Sequence, residues 1–196
     1  MKEDDATILT IELSIIFNDN CFILYQNYIV NLYNSKLLKQ ISLIIMSFNQ
    51  NLKKQCLIKN NRLCLGLDLD NKWLKNDSLD YMEGFIKDII SATIDLCPIY
   101  KINFAFYERY GYKGYKILEK IPSFIHNKAM TIADAKRGDI GNSSKYYAKA
   151  VFEHLNYDSI TVSPYMGFDS ILPFSEYENK GVFILALTSN SGSDDF

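Results

Sequence analysis

The sequence is poor in the residues that build covalent or metal-based frameworks. Its 196 residues include four cysteines and two histidines. The cysteines lie far apart and form no C-x-x-C pair: Cys21, Cys56, Cys64 and Cys97. This spacing argues against a disulfide framework and against a Cys/His zinc site. We therefore expect no bound metal and a reducing, cytoplasmic environment.

The sequence also lacks a strong excess of either charge. Lys and Arg number 21 against 23 Asp and Glu, which gives a formal net charge of -2. A surface that neutralises nucleic-acid phosphates needs a basic excess, so nucleic acid is not an expected partner. The hydrophobic fraction of 48% and the charged fraction of 22% predict a folded core rather than disorder. The length fits one domain, or most of one larger domain.

No apolar run in residues 1–45 is long enough to predict a membrane span. The apolar stretches are interrupted at Glu12, Asp19 and Lys36, whereas a span needs about 20 apolar residues. The acidic start of the chain does not fit a signal peptide. The alternation at Ile8–Phe17 is compatible with a strand, and the pattern at Leu24–Leu38 with a helix.

We interpret residues 1–45 as an N-terminal extension and residues 46–196 as the folded domain. Met46 begins a segment that reads as the start of a helix ending before Asn60. One hypothesis is therefore that Met46 is the working start of the protein.

From Arg62 onward, strand and helix patterns alternate. Strands are predicted at 63–68, 99–106, 129–134, 159–163 and 182–187, and helices at 80–96, 114–124 and 143–155. In the helix at 114–124, Tyr115, Leu118 and Ile121 are expected to lie on one face. Repeated β/α units with short connections predict parallel strands joined by right-handed crossovers. A (β/α)8 barrel and an open doubly wound sheet both fit this pattern.

Polar residues follow or end each predicted strand: Asp68, Lys101, Asp134, Ser163, and Thr188 with Ser189. The carboxyl ends of parallel strands form the active-site edge in both folds. The sequence contains neither a G-x-G-x-x-G turn nor a P-loop, which argues against the nucleotide-binding form of the open sheet.

The string Asp134-Ala-Lys136-Arg-Gly-Asp139 is the main candidate for chemistry. Residues two apart in a strand point to the same side, so Asp134 and Lys136 should share a face, where Lys101 of the neighbouring strand could join them. Two interpretations remain open. The cluster is either an ion-pair network that closes one end of the fold, or an ammonium held at a reaction centre beside a carboxylate.

Five segments resemble the orotidine 5'-monophosphate decarboxylase family, in particular its longer-chain, bacterial-type subgroup. They are DAKRGDIGN at 134–142, LCLGLDLD at 63–70, YKINFAFYE at 100–108, SPYMGFDS at 163–170 and LTSNSGS at 187–193. The resemblance extends from about Phe48 to Ser193. It implies a (β/α)8 TIM-type barrel that forms a dimer and uses no cofactor. It also implies conversion of orotidine monophosphate to uridine monophosphate and carbon dioxide in pyrimidine biosynthesis.

The resemblance implies catalytic roles for four residues. Lys136 matches the lysine that delivers a proton to C6, and Asp134 the acid that faces the substrate carboxylate. Lys101 matches the lysine that bonds the ribose and the neighbouring acid. Asp139 matches the acid that one subunit lends to the other subunit's site.

It also implies substrate-binding roles for five residues. Asp68 matches the acid that binds a ribose hydroxyl, and Ser189 the hydroxyl residue that reads the pyrimidine edge. Ile140 and Ser143 would accompany the acid lent across the dimer interface, and Asn103 would line the pocket.

The sequence departs from the family pattern in its last part. Ser191 stands where proline is usual, and the phosphate-binding Gln and Gly-Arg elements have no counterpart. We therefore expect about the first five β/α units of a barrel. One alternative is a non-catalytic partial barrel that needs a partner. Another is a metal-dependent sugar-phosphate decarboxylase, since a bare D-x-K-x-x-D is shared within the superfamily. Fusion to, or association with, an orotate phosphoribosyltransferase is left open.

Overall fold

The computed structural model of the chain describes residues 46–193 except residues 71, 73 and 77. The predicted extension at 1–45, with its strand at Ile8–Phe17 and helix at Leu24–Leu38, lies outside the described residues. The described elements are α1 (Phe48–Lys59), β1 (Cys64–Gly66), α2 (Leu79–Thr93), β2 (Ile99–Asn103), α3 (Ala105–Glu108), α4 (Tyr112–Ile125), β3 (Met130–Arg137), α5 (Gly141–Lys149), a π-helical segment (Ala150–His154), β4 (Ser159–Val162), α6 (Phe168–Ser175) and β5 (Gly181–Ile184).

The five strands form one parallel sheet in the order β1-β2-β3-β4-β5. Each strand is hydrogen-bonded to the next strand in the chain, with helices in the connections. The predicted alternation of strands and helices is confirmed, and the described residues form part of a β/α barrel. In this part of the chain no helix is long and apolar enough to cross a membrane.

Helix α1 begins where the sequence predicts a helix. Ser47 forms a capping box: its Oγ accepts the Gln50 N–H at 3.3 Å, and the Gln50 side chain accepts the Ser47 N–H at 3.0 Å. The helix ends at Asn60, which adopts the left-handed conformation with φ 46°.

One face of the sheet packs against helices. Tyr100 and Ile102 of β2 and Ile160 and Val162 of β4 are buried in a single cluster with residues of α2, α4 and the segment that follows α5. This face is mostly apolar, as expected for a sheet covered by helices, with Thr131 of β3 as a buried polar residue on it.

The opposite face is apolar only at its amino-terminal end. There Ile99 and Ile132 pack in a second cluster with Phe48 of α1 and Phe183 of β5. The Phe48 and Phe183 rings meet edge to face, with centroids 5.9 Å apart. Phe48 also lies against Gly181 so closely that a Cβ there would be 2.7 Å from its ring. Lys101 lies two residues after Ile99 in β2, and Asp134 lies two residues after Ile132 in β3, so both charged residues are on this face.

Several predicted element bounds change for identifiable reasons. Strand β2 ends at Asn103 rather than at 106, because the Asn103 side chain accepts the Ala105 N–H at 3.1 Å and the chain turns into α3. Strands β1 and β5 are shorter than predicted, and β3 extends through Arg137. The third predicted helix is present as α5 and the π-helical segment that continues it.

The three residues predicted to lie on one face of α4 differ in burial. Tyr115 is exposed, and the buried residues of α4 are Gly114, Ile117, Leu118, Ile121 and Ile125. A Cβ at position 114 would lie 1.8 Å from the Tyr107 carbonyl oxygen. The close approach allowed by this glycine sets the helix rotation and leaves the neighbouring tyrosine outside.

Candidate active site

Strands β2 and β3 place a buried lysine beside a buried aspartate. In the register of the sheet, Lys101 is paired with Ile132 and Asn103 with Asp134. The residues Lys101 and Asp134 are each only 4% exposed. Asp134 lies within its strand rather than at the end predicted from the sequence. A buried ammonium and a buried carboxylate stay charged only when they are paired.

The Asp134 carboxylate is contacted at both oxygens. Lys136 Nζ lies 2.6 Å from Oδ1, and Lys101 Nζ lies 3.3 Å from Oδ2. Lys101 Nζ also lies 3.8 Å from Asp68 Oδ2. The structure therefore brings together four of the residues singled out in the sequence, and the expected proximity of the two lysines to Asp134 is confirmed. In contrast to buried Lys101, the Lys136 side chain is 45% exposed.

Lys136 reaches Asp134 through a distortion of the strand rather than through regular alternation. The pairing of β3 with β4 steps from Ala133↔Ile160 to Arg137↔Val162, so β3 contains extra residues in a bulge. Lys136 lies within this bulge and has φ 47°. The left-handed conformation costs an L-residue about 1–2 kcal/mol, so surrounding contacts must hold it.

Thr161 of β4 faces this bulge and was not predicted as a site residue. It is buried, and its Oγ1 lies 2.9 Å from the Lys136 amide nitrogen and 2.9 Å from Asp134 Oδ1. The signal in the sequence is the alternation Ser159-Ile-Thr161-Val-Ser163, which puts hydroxyl residues on one side of β4.

The environment of Asp134 keeps its carboxylate ionised. Burial raises the pKa of this carboxyl. The Lys136 hydrogen bond, the charges of both lysines and the Thr161 hydrogen bond together outweigh burial and hold the pKa below its ordinary value. Asp134 is therefore a fixed negative charge at neutral pH.

Asp68 shares Lys101 but is less well compensated. It lies beyond the end of β1, and its Oδ1 accepts the Asn103 N–H at 3.2 Å. Burial raises its pKa, and the nearby Asp134 charge adds to that effect. Lys101, the Asn103 amide and Lys136 lower the pKa only in part, so the net shift is upward.

Asp139, the last residue of the string that begins at Asp134, does not join the charged residues around Asp134. Its Oδ1 accepts the Ile140 N–H at 2.8 Å. Within the part of the chain that the structure describes, Asp139 forms no ion pair with either lysine. Ile140 is 57% exposed, and Ser143 is also exposed at the start of α5. Within the described residues, Asp68 is the second carboxylate, after Asp134, that lies beside Lys101.

The two remaining predicted site residues are Asn103, at the carboxyl end of β2, and Ser189, in the segment after β5. The Asn103 amide side chain caps α3, while its backbone holds Asp68. Ser189 is exposed in the segment after β5. The structure gives it no contact with the charged residues.

Arg137 is a second residue that sequence analysis missed. It follows Lys136 directly, forms an ion pair with Glu108 of α3, and its guanidinium lies 5.3 Å from the centre of the Tyr147 ring. Its carbonyl accepts the Ser163 N–H at 2.7 Å. These contacts hold the residue that follows Lys136 and fix the strand on the far side of the bulge.

The described residues contain no group of three or more His, Cys, Asp or Glu side chains that could hold a metal ion. What the site does provide is fixed charge. One exposed ammonium and one buried ammonium surround a buried, ionised carboxylate. Such an arrangement can stabilise developing negative charge next to Lys136 and can supply a proton.

Comparisons with known proteins agree with this geometry. A sequence model of the "Orotidine 5'-phosphate decarboxylase / HUMPS family" matches residues 61–196. An orotidine 5'-phosphate decarboxylase from Dehalococcoides mccartyi is 50% identical over 151 residues, which are 77% of this chain and 55% of that protein. The chain thus spans about half the length of the curated relatives that it matches.

Solved structures show the same relationship. The OMP decarboxylase of Leishmania donovani is 37% identical with a TM-score of 0.69, over 76% of this chain and 57% of that one. The UMP synthase of Leishmania donovani is 38% identical with a TM-score of 0.69, over 76% of this chain and 32% of that one. On these matches, the chain belongs to the orotidine 5'-phosphate decarboxylase / HUMPS family.

Proposed function

We propose that this chain carries the charge network that converts orotidine 5'-monophosphate to uridine 5'-monophosphate and carbon dioxide. The observation that supports this most strongly is the arrangement around Asp134. One carboxylate, buried and ionised, is contacted by an exposed ammonium at 2.6 Å and a buried ammonium at 3.3 Å. A network that only closed one end of a fold would have no need of the solvent-facing lysine.

The chemistry requires what this network supplies. The bond from C6 to the carboxylate breaks, the electron pair stays on C6, and carbon dioxide leaves. No ring orbital delocalises the pair, so a preorganised positive charge must stabilise it. Lys136 would supply that charge and then the proton that forms the C6–H bond. The resulting neutral amine would regain its proton from solvent, to which Lys136 is open.

The other charged residues would position the substrate and Lys136. Asp134 would lie beside the departing carboxylate and hold the ammonium by its hydrogen bond. Lys101, held between Asp134 and Asp68, would hydrogen-bond the ribose. Asp68 would accept a ribose hydroxyl, and Ser189 and Asn103 would complete the nucleoside pocket.

We propose that two copies of the chain share their sites. Asp139 has no ion pair with the lysines of its own chain in the described residues, and Ile140 beside it is exposed. Both features agree with Asp139, Ile140 and Ser143 acting in the site of a partner copy. Association with an orotate phosphoribosyltransferase and a cytoplasmic location stay predictions.

The test is the formation of uridine 5'-monophosphate by the purified full-length chain, followed by the loss of orotidine absorbance and by chromatography. We expect turnover in the wild type and none in Lys136→Ala. Lys145→Ala, which changes an exposed lysine on α5, is the matched control and should keep the wild-type rate. Turnover that survives Lys136→Ala would remove Lys136 from its role. No turnover by the wild type would contradict activity of this chain.

A metal-dependent reaction on a sugar phosphate is the contrasting outcome. The same preparation, assayed with a phosphorylated 3-keto sugar acid and magnesium, should release no carbon dioxide. The orotidine reaction should be insensitive to chelators. Chelator-sensitive activity on the sugar phosphate would favour the metal-dependent alternative.

A further inference from the structure

The Thr161 hydroxyl connects the backbone and the side-chain partner of the proposed proton donor. Its Oγ1 lies 2.9 Å from the Lys136 amide nitrogen and 2.9 Å from Asp134 Oδ1. Thr161 is 3% exposed, so water does not compete for these bonds. One hydroxyl therefore contacts both ends of the unit formed by Asp134 and Lys136.

The direction of both hydrogen bonds follows from the chemistry of the partners. A backbone N–H can only donate, so the hydroxyl oxygen accepts from Lys136. An ionised carboxylate can only accept, so the single hydroxyl proton is directed to Asp134. Valine has nearly the same shape but can make neither bond. Serine can make both.

The position of Thr161 explains why the bulge needs it. The register of β3 against β4 is regular at Ala133↔Ile160 and again at Arg137↔Val162, and Thr161 is the β4 residue between these two pairs. The strand ladder is interrupted there, and the Lys136 amide bonds to a side chain instead. Lys136 itself has φ 47°, a conformation that an L-residue rarely adopts.

We propose that Thr161 is a positioning residue, which holds Lys136 in its left-handed bulge and so aims the ammonium at the reacting carbon. The catalytic part of this proposal rests on the function proposed above. The structural part, a hydroxyl bridge that sets the bulge, does not depend on turnover.

Thr131 offers a matched control. It is a buried threonine on the adjacent strand, and its hydroxyl makes the same kind of bridge to one aspartate. Its Oγ1 accepts the Asp158 N–H at 2.9 Å and lies 2.9 Å from Asp158 Oδ2. Thr131→Val therefore removes an equivalent pair of bonds without touching Asp134 or Lys136.

The first measurement uses nuclear magnetic resonance on the full chain without substrate. In Thr161→Val, the Lys136 amide should lose its protection from hydrogen exchange by at least about tenfold. The Asp134 pKa should rise, because a hydrogen bond that lowers it is gone. Thr161→Ser should restore both values, and Thr131→Val should change neither. Unchanged exchange at Lys136 in Thr161→Val would overturn the proposal.

The second measurement is turnover of orotidine 5'-monophosphate. We expect kcat to fall by about tenfold or more in Thr161→Val with a smaller change in KM, since the substrate itself is not contacted. Thr161→Ser should recover most of kcat. A lost bridge with an unchanged kcat would overturn the catalytic part of the proposal.

The two measurements also separate this proposal from the proposed function. If the wild type shows no turnover, the proposed function fails, while hydrogen exchange still decides whether Thr161 sets the bulge. If Thr161→Val does not fold, Thr161→Ala, which removes the hydroxyl without adding volume, is expected to give the same two results.

Discussion

The carboxylates of Asp68 and Asp134 share one ammonium, that of Lys101, but their pKa values shift in opposite directions. Lys101 Nζ lies 3.8 Å from Asp68 Oδ2 and 3.3 Å from Asp134 Oδ2. For both acids burial is the largest influence, and it raises the pKa. At Asp134 the further donors Lys136 and Thr161 reverse the shift, whereas at Asp68 the Asn103 amide and the charge of Lys136 offset it only in part. Asp68 is thus the acid that takes up a proton first as the pH falls.

Replacement of Lys101 by methionine should raise both pKa values. Methionine removes the ammonium from between the two carboxylates while keeping a similar volume. Carbon-13 labelling of aspartate side chains, assigned with Asp68→Asn and Asp134→Asn, would follow each titration. In the wild type we expect Asp68 to titrate at the higher pH. If Asp134 titrates at a higher pH than Asp68, the arrangement of hydrogen-bond donors is not as described.

The opposite shifts also predict opposite effects on stability. The raised pKa of Asp68 gives a contribution to the free energy of unfolding that is present below its unfolded pKa and is lost as the pH rises through its folded pKa. The lowered pKa of Asp134 gives a contribution that is present above its unfolded pKa and is lost as the pH falls through its folded pKa. The free energy of unfolding is measured by denaturant unfolding as the pH falls from 7 to about 3. The wild type should lose stability relative to Asp134→Asn over this range. It should gain stability relative to Asp68→Asn.

Glycine at position 136 should give a more stable protein than alanine. Lys136 has φ 47°, which glycine adopts freely and alanine does not. The free energy of unfolding of Lys136→Gly should exceed that of Lys136→Ala by about 1 kcal/mol. The control is Lys145 in α5, where the order should reverse and glycine should be worse by about 1 kcal/mol. The same order at both positions would contradict the bulge conformation.

Removal of the Phe48 ring should strongly destabilise the fold. Phe48→Ala leaves a cavity next to Phe183 and Gly181, so the free energy of unfolding should fall by about 3–5 kcal/mol. Leu57 on the same helix is 72% exposed, and Leu57→Ala should change it by no more than about 0.5 kcal/mol. Equal effects of the two variants would show that α1 does not pack as described.

Two helical glycines should respond in opposite ways to alanine. At Gly114 a Cβ would lie 1.8 Å from the Tyr107 carbonyl oxygen. Gly114→Ala should therefore unfold at a much lower denaturant concentration than the wild type, or fail to fold. At Gly84 in α2 a Cβ meets nothing within 4 Å, so Gly84→Ala should raise the free energy of unfolding by about 0.5–1 kcal/mol. Denaturant unfolding of the two variants and the wild type measures both effects.

Two inactive variants should restore activity to each other if sites are shared between copies. Lys136→Ala and Asp139→Ala would each be inactive alone. In an equal mixture, half of the dimers are mixed and each of these has one intact site, so about a quarter of the wild-type activity should return. A mixture that stays inactive, while size-exclusion chromatography shows exchanged dimers, would assign Asp139 to its own chain's site.

The sequence predicts the sheet well because the strands of a parallel sheet are covered on one face by helices. Apolar residues therefore recur at alternate positions on that face, as at Tyr100 and Ile102 in β2 and at Ile160 and Val162 in β4. The meeting of Lys101, Asp134 and Lys136 also follows from strand order. Helix rotation was harder to predict, because the contact at Gly114 is set by the absence of a side chain and not by an apolar period.

The bulge is the part of the site that periodicity could not predict. A rule of two residues per repeat places Asp134 and Lys136 on one face and gives the right neighbours. It gives no reason for a left-handed lysine, nor for the hydroxyl on β4 that holds it. Tertiary contacts, including the Arg137 ion pair with Glu108, determine that geometry.

The contact of Phe48 with Gly181 and Phe183 has a consequence for biosynthesis. Helix α1 leaves the ribosome before the sheet, yet its aromatic partner in β5 is translated last among the described strands. Until then the Phe48 ring lacks its contacts with β5, and the growing chain displays an unfinished apolar surface. Closure over so long a stretch of chain is slow, so chaperones would have their longest opportunity to bind this protein just before its fifth strand appears.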